Sequence, residues 1–229
     1  AIQKGVNVFD TAPSYSTYKS EGQNLGSDER FGAVLPEYRD DVVISTKLET
    51  RNPREVKKEV DESLKRLKTK HLDILLMHAI KNSDDVGEIE KGVYKEMVNL
   101  KKAGIVRFIG FSSMDSAERS RDMLDNLDID VAMLAMNATK YGDYAEIALP
   151  SAIKQDTGVI AMKVMRNLVG REATAEELLE YAWGQPGVAS AVIAHFGMDP
   201  LKENISLAQN YQGTRMAKVN RKKLKTRMA

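Results

Sequence analysis

The sequence contains no cysteine and no marked excess of charge of either sign. The absence of cysteine excludes disulfides, thiolate nucleophiles and metal or iron–sulfur centres held by cysteine. Its 34 basic and 33 acidic side chains give a net charge of +1, whereas a dedicated nucleic-acid-binding protein carries a basic excess. The longest apolar runs are far shorter than the roughly 20 residues of a membrane helix. We therefore expect a cytoplasmic protein with no membrane span and no nucleic-acid partner.

Short apolar runs rich in valine and isoleucine recur along the chain and are separated by longer amphipathic segments. These runs lie at residues 6–10, 42–47, 72–78, 106–112, 131–137, 159–164 and 188–194. Their hydrophobicity is nearly continuous, which is typical of parallel strands covered on both faces. The clearest helix is predicted over residues 53–67, and Thr174 opens a capping box ahead of another. Such alternation favours either a doubly wound sheet or an eight-stranded barrel.

Two observations favour the barrel over the doubly wound sheet. No Gly-x-Gly-x-x-Gly motif follows any predicted strand, so the dinucleotide fingerprint of the doubly wound sheet is absent. Polar residues instead end many different strands, and in a barrel those ends converge on one mouth where active sites lie. The strand-end residues are Asp10, Lys47, His78, Ser112, Asn137 and Lys163.

Four residues near these strand ends suggest acid–base chemistry. Asp10, Lys47 and His78 end three successive strands, and Tyr15 follows the first of them in a short turn. Taken singly, a strand-end lysine is usually solvated, a lone histidine is usually structural and a buried aspartate often caps a turn. Together they predict an acid site, because an ammonium lowers the pKa of a tyrosine from about 10. Lys47 is expected to act on Tyr15 in this way, with Asp10 as its partner, while His78 orients a carbonyl oxygen.

The order and spacing of several sequence blocks, over residues 1–211, resemble those of the aldo-keto reductases. The blocks are Gly-Val-Asn-Val-Phe-Asp-Thr-Ala-Pro-Ser-Tyr at 5–15, Ser-Thr-Lys at 45–47, Glu-Ser-Leu-Lys-Arg-Leu at 62–67, Leu-Asp-Ile-Leu-Leu-Met-His at 72–78 and Lys-Ala-Gly-Ile-Val-Arg-Phe-Ile-Gly-Phe-Ser-Ser at 102–113. The Met-Lys pair at 162–163 resembles the branch of the family with Met-Lys in the seventh strand. Some members of that branch carry a cysteine-ligated iron–sulfur tail, which a chain without cysteine cannot hold.

This resemblance implies a (β/α)8 TIM barrel and an NAD(P)H-dependent reductase of aldehydes or ketones. The family's catalytic tetrad falls on Asp10, Tyr15, Lys47 and His78, with the tyrosine as general acid. The cofactor is expected to be NADPH, with NADH as the alternative, and no metal is expected. The cofactor-binding residues implied by the resemblance are Ser112, Ser113, Asn137, Lys163, Glu203 and Asn204.

The chain departs from the family pattern in three places. The block at residues 5–15 is normally preceded by a strand and a helix, so the sequence is expected to run from strand 2 to the final helices, with the first strand missing. We interpret it as part of a longer protein. The loop at 165–172 is shorter than the family pattern, and the phosphate loop at 194–196 does not match it. Residues 1–211 form the predicted barrel, and residues 212–229 form a basic tail predicted to be helical.

Two other functions remain open at this point. The same fold can serve as a non-catalytic nucleotide-binding subunit for regulation or assembly. An unrelated barrel lyase or isomerase would use Lys47 as a Schiff base, but that reaction leaves Tyr15 and His78 without roles. The motifs do not specify the carbonyl substrate or the oligomeric state. For the basic tail, a solvated helix and a surface for anionic partners are the two interpretations.

Overall fold

The computed structural model describes residues 1–15, 18–20, 23–138, 143–166, 168–170, 173–195, 197–213 and 218–228. The strands are β1 (Val8–Asp10), β2 (Tyr18–Ser20), β3 (Gln23–Leu25), β4 (Val43–Leu48), β5 (Leu72–Met77), β6 (Val106–Ser113), β7 (Val131–Ala135), β8 (Gly158–Met162) and β9 (Val188–Ala191). The helices are α1 (Ser27–Val34), α2 (Pro53–Leu67), α3 (Val86–Ile89), α4 (Lys95–Lys102), α5 (Ala117–Asn126), α6 (Tyr144–Ile147), α7 (Leu149–Lys154), α8 (Ala175–Trp183), α9 (Met198–Asn210) and α10 (Lys218–Met228). Short 3-10 turns at Ile2–Lys4 and Leu35–Tyr38 and a π-helical turn at Glu90–Tyr94 complete the described elements.

Seven of these strands form one parallel sheet in the described part of the chain, in the order β1-β4-β5-β6-β7-β8-β9. Each predicted strand is confirmed, and the sheet curls into a half-barrel with helices along the connections. The order begins at β1 and ends at β9, and no pairing joins those two strands among the described residues. The remaining strands, β2 and β3, form a small antiparallel hairpin after β1 that the sequence pattern did not predict.

The strands are apolar on both faces because each face has its own packing partner. Six side chains from β5, β7 and β8 form a cluster inside the curl: Ile74, Leu76, Val131, Met133, Ile160 and Met162. The opposite faces of the strands pack against the helices in the larger core. Two-sided burial therefore accounts for the nearly continuous hydrophobic runs in the sequence. Gly110 on β6 lies so close to β7 that an added Cβ would overlap the carbonyl oxygen of Val131.

Helix termini follow the capping signals in the sequence. Helix α2 begins after Asn52, whose side chain accepts from the amide of Arg54, and it covers the predicted residues 53–67. Helix α8 begins with the predicted capping box, in which Thr174 and Glu177 each satisfy a backbone amide of the other residue. These caps set where the helices start and so fix the lengths of the loops that leave the strand ends.

The basic tail contains helix α10, which docks on the body of the protein. Leu224 is buried in the main core, with 2% of its surface exposed. Lys225 donates to Glu146, and Arg227 donates to Glu177 at 2.7 Å. Part of the basic charge of this helix is therefore paired with acidic residues of the chain itself. Of the predicted tail, positions 214–217 and 229 lie outside the described residues.

A buried carboxylate ties the strands together at the end of the sheet opposite the strand-end residues. Asp73 on β5 accepts from the amide of Ile44 at 2.9 Å. It forms ion pairs with Arg39 and Arg107, both at 2.8 Å, and its side chain is 2% exposed. Asp73 thus connects the segment before β4 with three adjacent strands through one charged group.

We predict that Asp73→Ala lowers the free energy of unfolding by about 3–5 kcal/mol, because it leaves the mostly buried guanidinium of Arg39 without its counter-charge and the buried amide of Ile44 without its acceptor. Chemical denaturation of the chain and its variants measures this loss. The matched control is Arg107→Gln, which removes a partner whose side chain is 58% exposed and should cost less than about 1 kcal/mol. Equal losses in the two variants would contradict the prediction.

Candidate active site

The ammonium of Lys47 lies buried at the end of β4, with 1% of the side chain exposed. It donates to the two carboxylate oxygens of Asp10 at 2.7 and 2.6 Å and to the carbonyl oxygen of Thr11 at 2.8 Å. The hydroxyl of Ser45 donates to the same carboxylate at 2.9 Å. Parallel pairing of β1 with β4 aligns Asp10 with Ser45. The strand register therefore places the acid and the ammonium side by side.

Tyr15 and His78 lie next to this ion pair. The Lys47 Nζ atom is 4.7 Å from the centroid of the Tyr15 ring. The rings of Tyr15 and His78 meet edge to face, with centroids 5.7 Å apart and an interplanar angle of 74°. The structure thus brings together all four residues of the predicted acid site, although they come from three strand ends and one loop.

The environment of Tyr15 acts on its hydroxyl in two directions. Burial raises the pKa of Tyr15 above its ordinary value of 10.0, Lys47 lowers this pKa, and Asp10 raises it. The contribution of Lys47 has the sign that the sequence predicted, but burial outweighs it and the resulting pKa is raised. The hydroxyl therefore keeps its proton at neutral pH and is available as a proton donor.

A carboxylate that sequence reasoning did not identify contacts His78. The Nδ1 atom of His78 lies 2.8 and 2.9 Å from the two carboxylate oxygens of Glu49, and Ser14 donates to the same carboxylate. On the main-chain side, Arg51 donates to the carbonyl oxygen of His78 at 2.6 Å and pairs with Asp84 at 3.4 Å. His78 is thereby held both at its imidazole ring and at its main-chain carbonyl group.

Ser112 and Asn137 line the neighbouring strand ends. Ser112 Oγ accepts from the amide of Ala79 at 2.9 Å, which joins the end of β6 to the loop after β5. Asn137 Nδ2 donates to the carbonyl oxygens of Lys163 and Val164 at 2.6 and 3.2 Å. Asn137 thus fixes the turn that follows β8, where Lys163 adopts a left-handed conformation with φ of 59°.

Lys163 adds a second cation to this end of the sheet. Burial lowers the pKa of Lys163, and repulsion from Arg166 and Lys47 lowers it further. The Lys163 ammonium forms no ion pair with any described residue. A partly buried ammonium without an ion pair among the described residues suits an anionic ligand. In the loop predicted at 165–172, positions 167, 171 and 172 lie outside the described residues.

Ser113 faces away from Ser112. Its hydroxyl lies 2.9 Å from the hydroxyl of Tyr144 and also contacts the carbonyl oxygens of Ile80 and Ser116. Successive side chains of a strand point to opposite faces, so Ser113 packs toward the helices while Ser112 points into the curl. The structure does not bring the Ser113 hydroxyl to the other predicted residues.

Glu203 and Asn204 lie on α9, after the last strand. Glu203 is exposed and Asn204 is partly buried. No hydrogen bond or ion pair of either side chain is formed with the part of the chain that the structure describes. Helix α9 begins after Gly197 with no side-chain cap. A role of these two side chains in cofactor binding therefore stays a prediction from the sequence, and position 196 of the predicted phosphate loop lies outside the described residues.

A family model described as "Aldo/keto reductase family" matches residues 1–178. The chain belongs to the aldo/keto reductase family. The family and its oxidoreductase relatives indicate that the chain is an oxidoreductase.

Individual relatives and solved structures agree with this assignment. The uncharacterized oxidoreductase YqkF of Bacillus subtilis is 24% identical over 91% of this chain and 79% of its own length. L-galactose dehydrogenase of Arabidopsis thaliana is 32% identical, with 50% of this chain and 36% of that protein aligned. The apo form of an aldo-keto reductase from Bacillus halodurans, AKR11C1, superposes with a TM-score of 0.76 at 20% identity, covering 100% of this chain and 83% of that structure. This last similarity shows the (β/α)8 fold.

Glu49 and Ser14 are among the residues that sequence reasoning missed at the site. Glu49 lies one position beyond the end of β4, in a loop whose conformation the sequence pattern does not specify. Ser14 lies in the block at residues 5–15, but nothing in the sequence pattern links its hydroxyl to Glu49.

Among the described residues, no helix is both long and apolar enough to cross a membrane.

We predict opposite changes in the titration of Tyr15 from two substitutions. Lys47→Met should raise the pKa of Tyr15, because it removes the largest influence that lowers this pKa. Asp10→Asn should lower the pKa of Tyr15, because it removes a neighbouring negative charge. NMR titration of ring-labelled tyrosine measures both changes, and Tyr15→Phe assigns the signal among the 8 tyrosines. Shifts of the same sign in both variants would contradict this account of the site.

Proposed function

We propose that this chain is an NAD(P)H-dependent carbonyl reductase that converts a small aldehyde or ketone to an alcohol. The observation that carries the proposal is the contact of Tyr15 with both the Lys47–Asp10 ion pair and His78. The Tyr15 hydroxyl keeps its proton at neutral pH, and the adjacent Lys47 ammonium stabilises the tyrosinate that forms when the proton leaves. This arrangement is suited to general acid catalysis. The cytoplasmic location stays a prediction from the sequence.

The proposed proton transfer follows from the groups around Tyr15. As negative charge develops on the carbonyl oxygen of a substrate, the Tyr15 hydroxyl supplies a proton to it. The tyrosinate that forms is stabilised by Lys47, whose ammonium is held in place by Asp10 and Thr11. We propose that His78, whose ring contacts that of Tyr15, binds the same oxygen through a ring nitrogen. The reverse transfer makes the tyrosinate a general base for alcohol oxidation.

The residues at the strand ends fit a nicotinamide dinucleotide. A bound NAD(P)H supplies the hydride that no side chain provides. Lys163, whose ammonium has no ion pair among the described residues, suits the negatively charged phosphates of such a cofactor. Ser112 and Asn137 would hold the nicotinamide end, while Glu203 and Asn204 would hold the adenine end. NADPH is the cofactor we expect to bind more tightly.

The geometry of Lys47 argues against a Schiff-base mechanism. A nucleophilic lysine must present a neutral amine to the substrate carbonyl. Lys47 instead directs its hydrogen atoms to two carboxylate oxygens and a carbonyl oxygen, all within 2.8 Å, and its side chain is 1% exposed. This arrangement favours a fixed ammonium that acts through its charge.

We predict that Tyr15→Phe lowers kcat about 10²–10⁴-fold, the usual contribution of a positioned general acid, while leaving cofactor affinity nearly unchanged. Fluorescence titration with NADPH and NADH measures binding, and cofactor oxidation over a panel of aldehydes and ketones measures turnover. The matched control is Tyr94→Phe, because the Tyr94 hydroxyl donates to the carbonyl oxygen of Asp128 and does not contact the tetrad.

The outcomes separate the candidate functions. Turnover that Tyr15→Phe removes and Tyr94→Phe leaves intact supports the reductase. Full activity in Tyr15→Phe contradicts the proposed mechanism. Cofactor binding without turnover over the whole panel contradicts the reductase and favours a non-catalytic nucleotide-binding subunit. If neither cofactor binds, the nucleotide-dependent proposal is wrong.

A further inference from the structure

Glu49 lies where it can control which nitrogen of His78 carries a proton. Both of its carboxylate oxygens are within 2.9 Å of His78 Nδ1. The Glu49 side chain is 38% exposed and that of His78 is 20% exposed, so the pair lies at the edge of the mouth. The tetrad in the family pattern does not include this residue, and the proposed function assigns it no role.

The loop after β4 holds Glu49 in this position. Glu59 on α2 accepts from the amides of Glu49 and Thr50, at 2.6 and 3.1 Å. Ser14, in the loop after β1, donates its hydroxyl proton to the Glu49 carboxylate. The carboxylate is thus fixed from two elements of the fold and held beside His78.

The Glu49 carboxyl is ionised. Burial alone would raise its pKa, but hydrogen bonds from Ser14 and His78 outweigh burial and lower the pKa of Glu49. An ionised carboxylate only accepts hydrogen bonds. The Nδ1 atom of His78 must therefore carry the hydrogen of this bond, in the neutral ring as well as in the imidazolium.

In the part of the chain that the structure describes, the other charged and titratable groups around His78 do not hydrogen-bond to its ring nitrogens. The contact with Glu49 therefore determines which ring nitrogen carries the proton. Tyr15 contacts the imidazole ring to ring, and the Lys47 Nζ atom lies 4.7 Å from the centroid of the Tyr15 ring. Arg51 contacts the carbonyl oxygen of His78 and pairs with Asp84 on the backbone side. Within the described residues, the hydrogen bonds of the imidazole itself are those to Glu49.

We propose that Glu49 is a positioning residue that fixes the proton of neutral His78 on Nδ1 and leaves Nε2 to face the substrate oxygen. The hydrogen bond made by one ring nitrogen determines the state of the other. Neutral His78 then has a bare Nε2, which accepts a hydrogen bond from an alcohol and cannot donate one to a carbonyl oxygen. Only the imidazolium form donates to the carbonyl.

The assignment of the proton rests on the geometry alone, whereas its consequence for reduction rests on the proposed function. In the parent chain, carbonyl reduction should depend on the imidazolium form of His78, because the neutral Nδ1–H tautomer has no proton on Nε2 to donate. In Glu49→Gln, the side-chain amide can donate to a bare Nδ1, so neutral His78 can carry its proton on Nε2. That tautomer still donates to a carbonyl oxygen, and reduction in this variant should lose less activity at high pH.

NMR of the chain labelled with ¹⁵N-histidine, recorded without cofactor or substrate, tests the proton position directly. The sequence has 3 histidines, and His78→Asn assigns the relevant signals. We expect neutral His78 to be the Nδ1–H tautomer in the parent chain and to shift toward the Nε2–H tautomer in Glu49→Gln. The matched control is Glu55→Gln, because Glu55 accepts from Thr50 and has no contact with His78; it should keep the parent tautomer. An Nε2–H tautomer in the parent chain, or the same tautomer in parent and Glu49→Gln, overturns the proposal.

The pH dependence of kcat/KM for carbonyl reduction gives the second measurement. Over a range from about pH 6 to about pH 9, activity should fall in the parent and fall less in Glu49→Gln. Tyr15 does not produce this difference, because its raised pKa places its titration above that range. An Nδ1–H tautomer in a chain that reduces no carbonyl supports the assignment and contradicts the proposed function. Turnover accompanied by an Nε2–H tautomer in the parent overturns the assignment alone.

Discussion

The burial of the Lys47 ammonium is the constraint on which the rest of the site depends. Moving an unpaired ammonium out of water costs several kcal/mol, so a side chain that is 1% exposed requires close acceptors. Asp10 and the carbonyl oxygen of Thr11 provide them. Both acceptors belong to β1 and the turn after it, and both reach Lys47 only when β1 pairs with β4 in the observed register. A slip of one residue would turn Asp10 to the opposite face, so the ion pair and the strand register stabilise each other.

The Lys47–Asp10 pair also sets the character of Tyr15. Because Tyr15 is buried, its ionised form is disfavoured and its pKa is raised, but Lys47 offsets part of this effect. A tyrosine on the surface would lack the apolar surroundings that strengthen the influence of one nearby charge. The same ammonium therefore stabilises the fold through Asp10 and, in the proposed mechanism, acts in the chemistry through Tyr15. The proton of Tyr15 is retained in the resting state, and the charge needed to stabilise its loss is already in place.

Much of the fold could be predicted because parallel strands and amphipathic helices leave strong periodic signals. The apolar runs located each strand of the main sheet, and residues 53–67 matched α2 because Asn52, Pro53 and the spacing of its apolar residues agree. The β2–β3 hairpin was missed because strands of three residues, Tyr18–Ser20 and Gln23–Leu25, are too short for a pattern of alternation. Six of the seven strands end one to three residues from the predicted position. Four of them, β5, β7, β8 and β9, end earlier because the last residues of those runs belong to the following loop.

The residues of the candidate site that lie at strand ends could be predicted from the sequence. The contacts that depend on loop conformation or on the direction of a side chain could be predicted less well. Asp10, Lys47 and His78 come together because parallel strands converge at one end of a curled sheet. The opposite directions of Ser112 and Ser113 follow from strand alternation, yet the resemblance to the family placed both at the cofactor. The contact between Glu49 and His78 could not be predicted from the sequence, because it depends on the loop conformation that Glu59 stabilises.

The two ends of the sheet differ in how their buried charges are paired. At the end opposite the candidate site, the buried charge of Asp73 is balanced by Arg39 and Arg107 and also accepts a backbone amide. At the other end, Lys47 is fully paired, but Lys163 keeps its ammonium without an ion pair among the described residues and is repelled by Arg166. An arrangement selected for stability alone would place an acidic side chain beside Lys163. A partly buried cation without an ion pair lowers the stability of the empty protein. Departures of this kind from local charge balance are expected at functional sites, which supports the proposed role of Lys163 in binding an anionic cofactor.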